Sequence, residues 1–278
     1  MNDKPFKWLH QEVLIDSPPY KEFDFSGYDE KDFVNFLLGG AGLDAYCAKC
    51  EQVSVFRVVE TPSYQREEKS KNLPKHSGVI TIKAECTRHA DNFQNKCTGE
   101  LYFCLYRNRD KIIKIGQYPS KADLDFGSLD PAFSKELDEN YRQELGRAIG
   151  LRAHGIGVGS FVYLRRIFEN VIEEAHELAK SDKGWNEEVY RKARMPERIR
   201  LLKKQLPNRL VESSKLYDIL SKGLHELSEE TCLEHFDLIQ KAILMILKER
   251  REEKDYKELV KNVNKEANKT RLETDHTS

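Results

Sequence analysis

Cysteine residues gather in two short stretches of this 278-residue chain, which contains six cysteines. The first stretch, "AYCAKC", holds Cys47 and Cys50 in C-x2-C spacing, and the second, "ECTRHADNFQNKC", holds Cys86, His89 and Cys97. Thiolates are the usual ligands of structural zinc, and a C-x2-C turn can place both of its sulfurs on one ion. The spacing therefore predicts a structural metal site with Cys47, Cys50, Cys86 and Cys97 as ligands.

The fourth ligand of this site has two candidates. Cys86 ends one predicted strand and Cys97 opens the next, so a hairpin would bring both beside the first pair. His89, however, follows Cys86 in C-x2-H spacing and is the alternative to Cys97. The competing interpretation is a set of buried thiols without metal. If protein atoms fill all four positions, no site is open to water, and we expect structural Zn²⁺ rather than a catalytic ion.

The elements that must position these cysteines are strands. Alternating apolar and polar residues predict strands at 53–60, 79–86, 99–108 and within 109–120. An extended arm over 1–25 and a short helix over 29–42 precede them, and 61–78 has the composition of an exposed loop. The remaining cysteines, Cys104 and Cys232, are expected in the core.

From about Ser134 the period of the apolar residues changes from two to nearly four, which predicts helices at 134–155, 159–180, 207–227 and 228–265. We expect the third of these helices to break at Gly223. Two apolar stripes are expected to be buried, namely Phe161, Leu164, Phe168, Val171, Ile172, Ala175 and Leu178 on one helix, and Leu238, Ile239, Ala242, Ile243, Ile246 and Leu247 on another.

The predicted fold class is α+β, with a small antiparallel zinc-ribbon-like sheet followed by an α-helical bundle. The expected domains are a zinc-ribbon-like α/β domain with its N-terminal arm over 1–125, a helical domain over 126–268 and a disordered tail over 269–278.

Composition excludes some classes of function. Lys and Arg total 46 and Asp and Glu 47, so the net charge of −1 carries no general nucleic-acid footprint. The sequence has no apolar run of about 18 residues, which predicts no membrane span. The first residues lack the apolar core of a secretory signal, which favours a cytoplasmic protein with reduced thiols. In such a compartment, clustered cysteines indicate metal ligands before disulfides.

Three stretches carry a resemblance: "IIKIGQYPSKADL", "GIGVGSFVYLRRIFENVIEEAH" and "LYDILSKGLHELSEE". They resemble a prokaryotic protein family of unknown function that joins a zinc-ribbon-like part to a HEPN-like helical domain and is found near restriction and phage-defence genes. The resemblance covers roughly residues 45–250. It implies a helical bundle, often dimeric, that in many HEPN members is a metal-independent ribonuclease with an Arg-polar-x4–6-His motif.

This sequence departs from that motif. His225 has no arginine at the required distance before it, and we treat the spacing of Arg147 and His154 as accidental. Arg165, Glu169 and His176 fall on one side of their helix. A polar cleft with the next helix would make the candidate catalytic residues Arg165, Arg166, Glu169, Tyr217, Lys222 and His225. The alternative is a solvated ion pair and a capping or core histidine.

Three functions remain open. The first is a non-catalytic sensor, adaptor or regulatory component of a prokaryotic defence or stress system, acting through protein or nucleic-acid contacts. The second is a diverged HEPN-like ribonuclease that needs no metal. The third is an oligomerising scaffold whose charged C-terminal helix pairs with a second copy, in keeping with an expected homo-oligomer.

Overall fold

The computed structural model of the chain describes residues 9–28, 32, 36, 42–59, 77–90, 95–129 and 137–275. It contains two compact units. Unit 1 comprises Met1–Lys135 and Ile149–Ile156, and unit 2 comprises Glu136–Ala148 and Gly157–Ser278. None of the described helices combines the length and the apolar composition that a membrane crossing needs.

The described strands all lie in unit 1, and six of them form one antiparallel sheet in the order β1-β8-β7-β4-β3-β2. Strands β5 and β6 form a separate short hairpin. The strands are β1 (Glu22–Asp24), β2 (Gly42–Cys47), β3 (Gln52–Val59), β4 (Ser77–Cys86), β5 (His89–Ala90), β6 (Asn95–Lys96), β7 (Glu100–Asn108) and β8 (Lys111–Tyr118). The prediction of an antiparallel sheet followed by helices is confirmed, but the sheet is larger than expected because it includes β1 and β2.

The two faces of this sheet differ in burial. Neighbouring residues across the strands share a face, so the registered pairs Phe56–Cys86 and Ile82–Phe103 are all buried. Residues one position away point to the other face, which we call the outward face. Its exposed or half-exposed residues include Val53, Val55, Val79, Lys83, Tyr102 and Tyr118.

The N-terminal segment is not the extended arm that the sequence predicted. Gln11–Asp16 forms a short π-helical turn, and strand β1 follows it. Val13, Leu14 and Ile15 are three consecutive buried side chains, and a helical turn can bury all three where one face of an extended segment cannot. Most of the predicted helix over 29–42 and of the predicted loop over 61–78 lies outside the described residues.

Helices account for most of the remaining described residues. They are α1 (Lys121–Gly127), α2 (Glu139–Ala153), α3 (Gly157–Ala179), α4 (Glu187–Lys192), α5 (Met195–Leu201), α6 (Asn208–Glu212), α7 (Leu216–His225) and α8 (Glu229–Asp275). Helix α1 lies in unit 1 and begins with a capping box between Ser120 and Asp123. In unit 2, helix α3 packs against α7 and α8. Residues 276–278 of the predicted tail lie outside the described part.

Gly223 does not break a helix, contrary to the sequence prediction. It lies inside α7, and a methyl group in its place would overlap the ring of Phe161 on α3. The glycine therefore allows α3 and α7 to approach closely. The predicted helix is interrupted earlier, between α6 and α7.

Two apolar residues that were expected in the core are exposed. The side chain of Leu178 is 61% exposed and that of Leu238 is 67% exposed. Each lies on its own helix at the edge of the stripe that the sequence suggested. The buried face of α8 is instead formed by Cys232, Phe236, Ile239, Ile243, Ile246 and Leu247.

Candidate metal centre

The sheet topology brings the four predicted cysteines to one place. Cys47 ends β2 and Cys86 ends β4; these strands run in the same direction because each is antiparallel to β3. Cys50 lies in the turn after β2. Cys97 precedes β7, whose first residues pair with the last residues of β4. All four cysteines therefore meet at the same end of the sheet.

The four sulfurs lie close enough together for one tetrahedral site. The Sγ atoms of Cys50 and Cys97 are 3.3 Å apart, those of Cys47 and Cys97 3.7 Å, and those of Cys50 and Cys86 3.8 Å. All four lie within 4.8 Å of one another. A tetrahedron with metal–sulfur bonds of 2.3 Å has edges of about 3.8 Å. The four cysteines could therefore hold one metal ion.

Backbone hydrogen bonds hold the two halves of the centre. The N–H of Cys50 donates to the carbonyl of Cys47 at 3.1 Å and closes the tight turn between them. The N–H of Cys86 donates to the carbonyl of Gly99 at 2.9 Å, and the N–H of Cys97 donates to the backbone carbonyl of Arg88 at 2.8 Å. The sulfur positions are thus fixed by strand ends and turns.

Gly99 is a supporting residue that sequence reasoning missed. Its N–H donates to the sulfur of Cys97 at 3.3 Å. A Cβ atom at this position would lie 2.5 Å from the sulfur of Cys47 and 3.4 Å from that of Cys97. Only glycine leaves room for the sulfurs here. The "CTG" sequence at 97–99 was the available signal, since a glycine beside a ligand often permits close backbone approach.

The surroundings shift the pKa values of three of the thiols, and not all in the same direction. Burial raises the pKa of Cys47 against the opposing effect of the N–H groups of Cys50 and Lys49. Burial also raises the pKa of Cys50 to about 12, and the sulfur of Cys97 adds to this shift. At Cys97 burial acts upward as well, but the Gly99 N–H and the neighbouring thiols outweigh it and lower the pKa. A cation at the centre would favour the thiolate form of each ligand.

The other sequence candidates near the centre have different surroundings. Cys104 is half-buried on the outward face of β7 rather than in the core, paired across the strands with Gly116. Cys232 is buried on α8, as expected, and its sulfur contacts the carbonyl of Gly223 at 3.7 Å. The side chain of His89 lies outside the described residues, so its role as alternative ligand stays a prediction.

Three of the candidate catalytic residues meet in unit 2. Arg165 donates from Nε to Glu169 at 2.8 Å and from Nη2 to the hydroxyl of Tyr217 at 2.9 Å. The Tyr217 hydroxyl in turn donates to Glu169 at 3.3 Å, and the Arg165 guanidinium lies 5.1 Å from the Tyr217 ring centroid. Burial raises the pKa of Tyr217. The predicted ion pair is therefore joined by a tyrosine from α7.

The other candidates do not join this cluster in the described structure. Arg166 pairs at 3.2 Å with the buried carboxylate of Glu144, which also binds Arg147 at 3.1 Å. Lys222 is exposed on α7. The side chain of His225 lies outside the described residues, so its part in a cleft stays a prediction. The described residues thus provide an arginine, a glutamate and a tyrosine, but place Arg166 elsewhere.

His176 shares a side of α3 with Arg165 and Glu169 but has its own partners. Its Nε2 atom is 2.9 Å from Glu187, its Nδ1 atom is 3.3 Å from Glu173, and its ring stacks on Tyr190 at 3.8 Å. Glu187 also accepts a hydrogen bond from the indole of Trp185 at 3.0 Å. That bond, together with the one from His176, lowers the pKa of Glu187 to about 2. This buried histidine links α3 to the segment that contains α4.

Two backbone amides of the glycine-rich stretch 154–160 are hydrogen-bonded to a carboxylate of the chain itself. The amides of Gly157 and Val158, at the start of α3, donate to the carboxylate of Glu229. A Cβ atom at Gly157 would overlap the backbone of α8. The glycines therefore permit close packing of α3 and α8, and their amides bind an internal carboxylate.

Comparison with known proteins does not identify a family for this chain. No family model, curated protein sequence or solved structure matches the chain. The functional argument accordingly depends on the geometry described above.

Proposed function

We propose that the cysteine centre binds one structural Zn²⁺ ion and that unit 1 is a zinc-ribbon-like module. The observation that carries this proposal is the set of four sulfurs within 4.8 Å of one another. Sulfur-only coordination favours zinc over hard cations, which prefer oxygen ligands. An ion held by Cys47, Cys50, Cys86 and Cys97 has a complete tetrahedron and no open position for a substrate or a reactive water. The ion would therefore stabilise the module without catalysing a reaction.

We further propose that the chain is an adaptor or sensor that works through a protein partner bound on the outward face. Val53 and Val79 on this face are each at least 53% exposed, and Tyr118 is 70% exposed. A cavity of about 240 Å³ lies beside the metal centre and is bordered by Tyr46, Tyr102 and Tyr118. Tyrosines and exposed apolar side chains are typical of protein interfaces.

The charges on this face favour a protein over a nucleic acid. Lys83 is paired with Glu85 at 3.0 Å and with Glu100 at 2.7 Å, and Lys96 is paired with Glu85 at 2.6 Å. A phosphate backbone would have to compete with these carboxylates for the lysines. The resemblance of the chain to proteins near phage-defence genes suggests a partner within a prokaryotic defence or stress system.

Metal analysis tests the zinc proposal. Protein purified without added metal should contain one zinc per chain by elemental mass spectrometry. Cys50→Ser should lose most of the metal, and the control Cys104→Ser, a change of the same chemistry away from the centre, should retain it. A folded, metal-free wild-type protein would refute the zinc site. Zinc retained in full by Cys50→Ser would exclude Cys50 as a ligand.

Purification from native cells tests the adaptor proposal. A partner protein should copurify with the wild type in a fixed ratio and should be lost with Val55→Lys on the outward face. The control Leu178→Lys changes an exposed apolar residue in unit 2 and should keep the partner. If no protein copurifies and the chain instead binds single-stranded RNA in a salt-sensitive way, the partner of the adaptor is a nucleic acid. A chain with neither partner would contradict the adaptor.

The second candidate, a diverged HEPN-like ribonuclease, is favoured by one observation. Arg165, Glu169 and Tyr217 form a connected set of hydrogen bonds, which could orient the guanidinium group of Arg165 toward a phosphate. This candidate predicts RNA cleavage in the presence of a chelator, lost in both Arg165→Ala and His225→Ala. Absence of cleavage on a broad RNA panel would eliminate it.

A further inference from the structure

Helix α8 carries an exposed apolar stripe that is separate from its buried face. Five side chains along it are at least 53% exposed: Leu238, Met245, Tyr256, Leu259 and Val263. At 100° per residue they lie within about 60° of one another, and their centre is roughly 150° from the centre of the buried face. Near the middle of this side of the helix, Arg209 of α6 donates from its N–H to Glu249 at 2.9 Å and from Nη1 to the carbonyl of Met245 at 3.2 Å. The five exposed apolar side chains themselves are left largely uncovered by the unit to which α8 belongs.

The spacing of this stripe is that of a coiled coil. Counting from Leu238, the positions advance alternately by four and three residues through Ala242, Met245, Glu249, Glu252, Tyr256, Leu259 and Val263. Six of these eight positions are apolar. This alternation is the heptad repeat with which one helix packs along another. Over 25 residue steps of 1.5 Å, the stripe is about 38 Å long.

The C-terminal half of the stripe extends past the buried part of α8. Among the side chains of this helix that the structure describes, which end at Ala267, the last buried one is Leu247, and all of those from Lys254 to Ala267 are exposed. Isolated helical segments are marginal in water, and packing of an apolar face supplies most of the stability of a protein helix. An exposed heptad at this position thus points to a partner helix.

The order of residues along the stripe is symmetric about its middle, between Arg250 and Arg251. If a second copy of the stripe lies antiparallel to the first, Leu238 faces Val263. In the same alignment Ala242 faces Leu259 and Met245 faces Tyr256. Each apolar position thus meets another apolar position. Two identical helices related by a twofold axis satisfy this arrangement, as isologous contacts require.

The charges beside the stripe agree with the antiparallel alignment. Lys248 and Asp255 each come directly before a core position, where charged side chains of paired helices meet. In the antiparallel pair, Lys248 of each copy faces Asp255 of the other, which gives two opposite-charge contacts. Glu249 and Glu252 occupy the two central layers and weaken the pairing by mutual repulsion.

We propose that α8 is a homodimerisation helix, and that residues 238–263 of two chains form an antiparallel two-stranded coiled coil. The pairing is of moderate strength, because the central layers are acidic and the core side chains are few. Replacing Glu252 by Leu removes one charge from each central layer and strengthens the dimer. This interaction surface does not depend on the metal centre.

Sedimentation equilibrium on the full-length protein tests the pairing. The wild type is expected to be dimeric at about 100 µM, where a roughly micromolar dimer is nearly complete. Leu259→Asp should weaken association by at least about tenfold, and the control Lys261→Asp, on the opposite side of the same exposed segment, should leave the dimer unchanged. A monomeric wild type, or a Leu259→Asp protein that dimerises as the wild type does, would overturn the proposal.

A charge exchange tests the antiparallel alignment. Lys248→Glu and Asp255→Lys should each weaken the dimer by roughly tenfold, because each places two like-charge pairs across the interface. The double variant restores opposite charges and should recover most of the wild-type affinity. Because a parallel pair would not bring residues 248 and 255 together, a double variant no better than the single ones would refute this alignment. Both variants change only exposed positions of α8, and circular dichroism checks that they remain folded.

Discussion

Replacing Gly99 by alanine is the sharpest perturbation of the metal centre, since it leaves all four cysteines in place. The added methyl carbon would lie 2.5 Å from the Cys47 sulfur, where an ordinary non-bonded contact needs about 3.5 Å. The sulfur or the strand must therefore shift by about 1 Å. Metal–ligand distances tolerate only about 0.2 Å, so the shift must strain the coordination of the ion.

The expected size of the effect follows from the cost of overpacking. Inserting a methylene into a closely packed site costs about 1–3 kcal/mol, and here the strain falls on the metal-bound state. That range corresponds to metal binding weakened by roughly 5- to 150-fold. Competition against a chromogenic zinc chelator measures this ratio directly.

A matched control separates this effect from a general effect of alanine. At Gly146, inside α2, an added Cβ meets no atom within 4 Å. Gly146→Ala should keep the wild-type zinc affinity, and it should stabilise its helix by about 0.5–1 kcal/mol. If Gly99→Ala binds zinc as tightly as Gly146→Ala, the sulfur of Cys47 is not a ligand in the position described here.

Three further predictions concern packing and pH. Gly223→Ala should lower the free energy of unfolding by about 1–3 kcal/mol in urea denaturation, because its methyl group would overlap the Phe161 ring. Burial lowers the pKa of Lys114 from 10.5 to about 7, so the unfolded chain binds more protons between these values. Stability should therefore rise as the pH increases from 7 to 10, and identical pH slopes for the wild type and Lys114→Met would contradict this role. The pKa of Glu187 is about 2 because Trp185 and His176 donate to it, so its contribution to stability is present above its ordinary value of 4.5 and lost as pH falls toward 2. In a Trp8→Phe background, the Trp185 emission should follow this loss and should lose its acid transition in Glu187→Gln.

The sequence predicts the sheet where alternation is strong and misses it where other constraints dominate. Strands β4 and β7 alternate over nine or ten residues, and their prediction needed only the period of two. Strand β1 has three residues, too few for any period, and it forms because Glu22 and its neighbours pair with β8. Strand β2 was hidden by the glycines before it, which suggested the end of a helix rather than the start of an edge strand.

The ligand set of the candidate metal centre was predictable because its chemistry requires one residue type at a particular spacing. Sulfur ligands must be cysteines, and the tight turn between Cys47 and Cys50 needs the C-x2-C spacing. The role of Gly99 is harder to predict, because the requirement for a residue without a side chain becomes visible only when the sulfur of Cys47 is placed beside it. Ligands are thus encoded by residue type, and the space that admits them is encoded by packing.

Helical spacing fixes the direction of a side chain but not its partner, and this decides how the catalytic candidates are understood. Arg165 and His176 point to the same side of α3, yet Arg165 meets Tyr217 of α7 while His176 meets Glu187 and Tyr190. Both ring nitrogens of His176 lie beside carboxylates, at 2.9 and 3.3 Å. A histidine that moves protons at a phosphate needs a nitrogen available to the substrate. His176 therefore has a structural role, and among the candidate catalytic residues the histidine of a ribonuclease site would have to be His225 on α7.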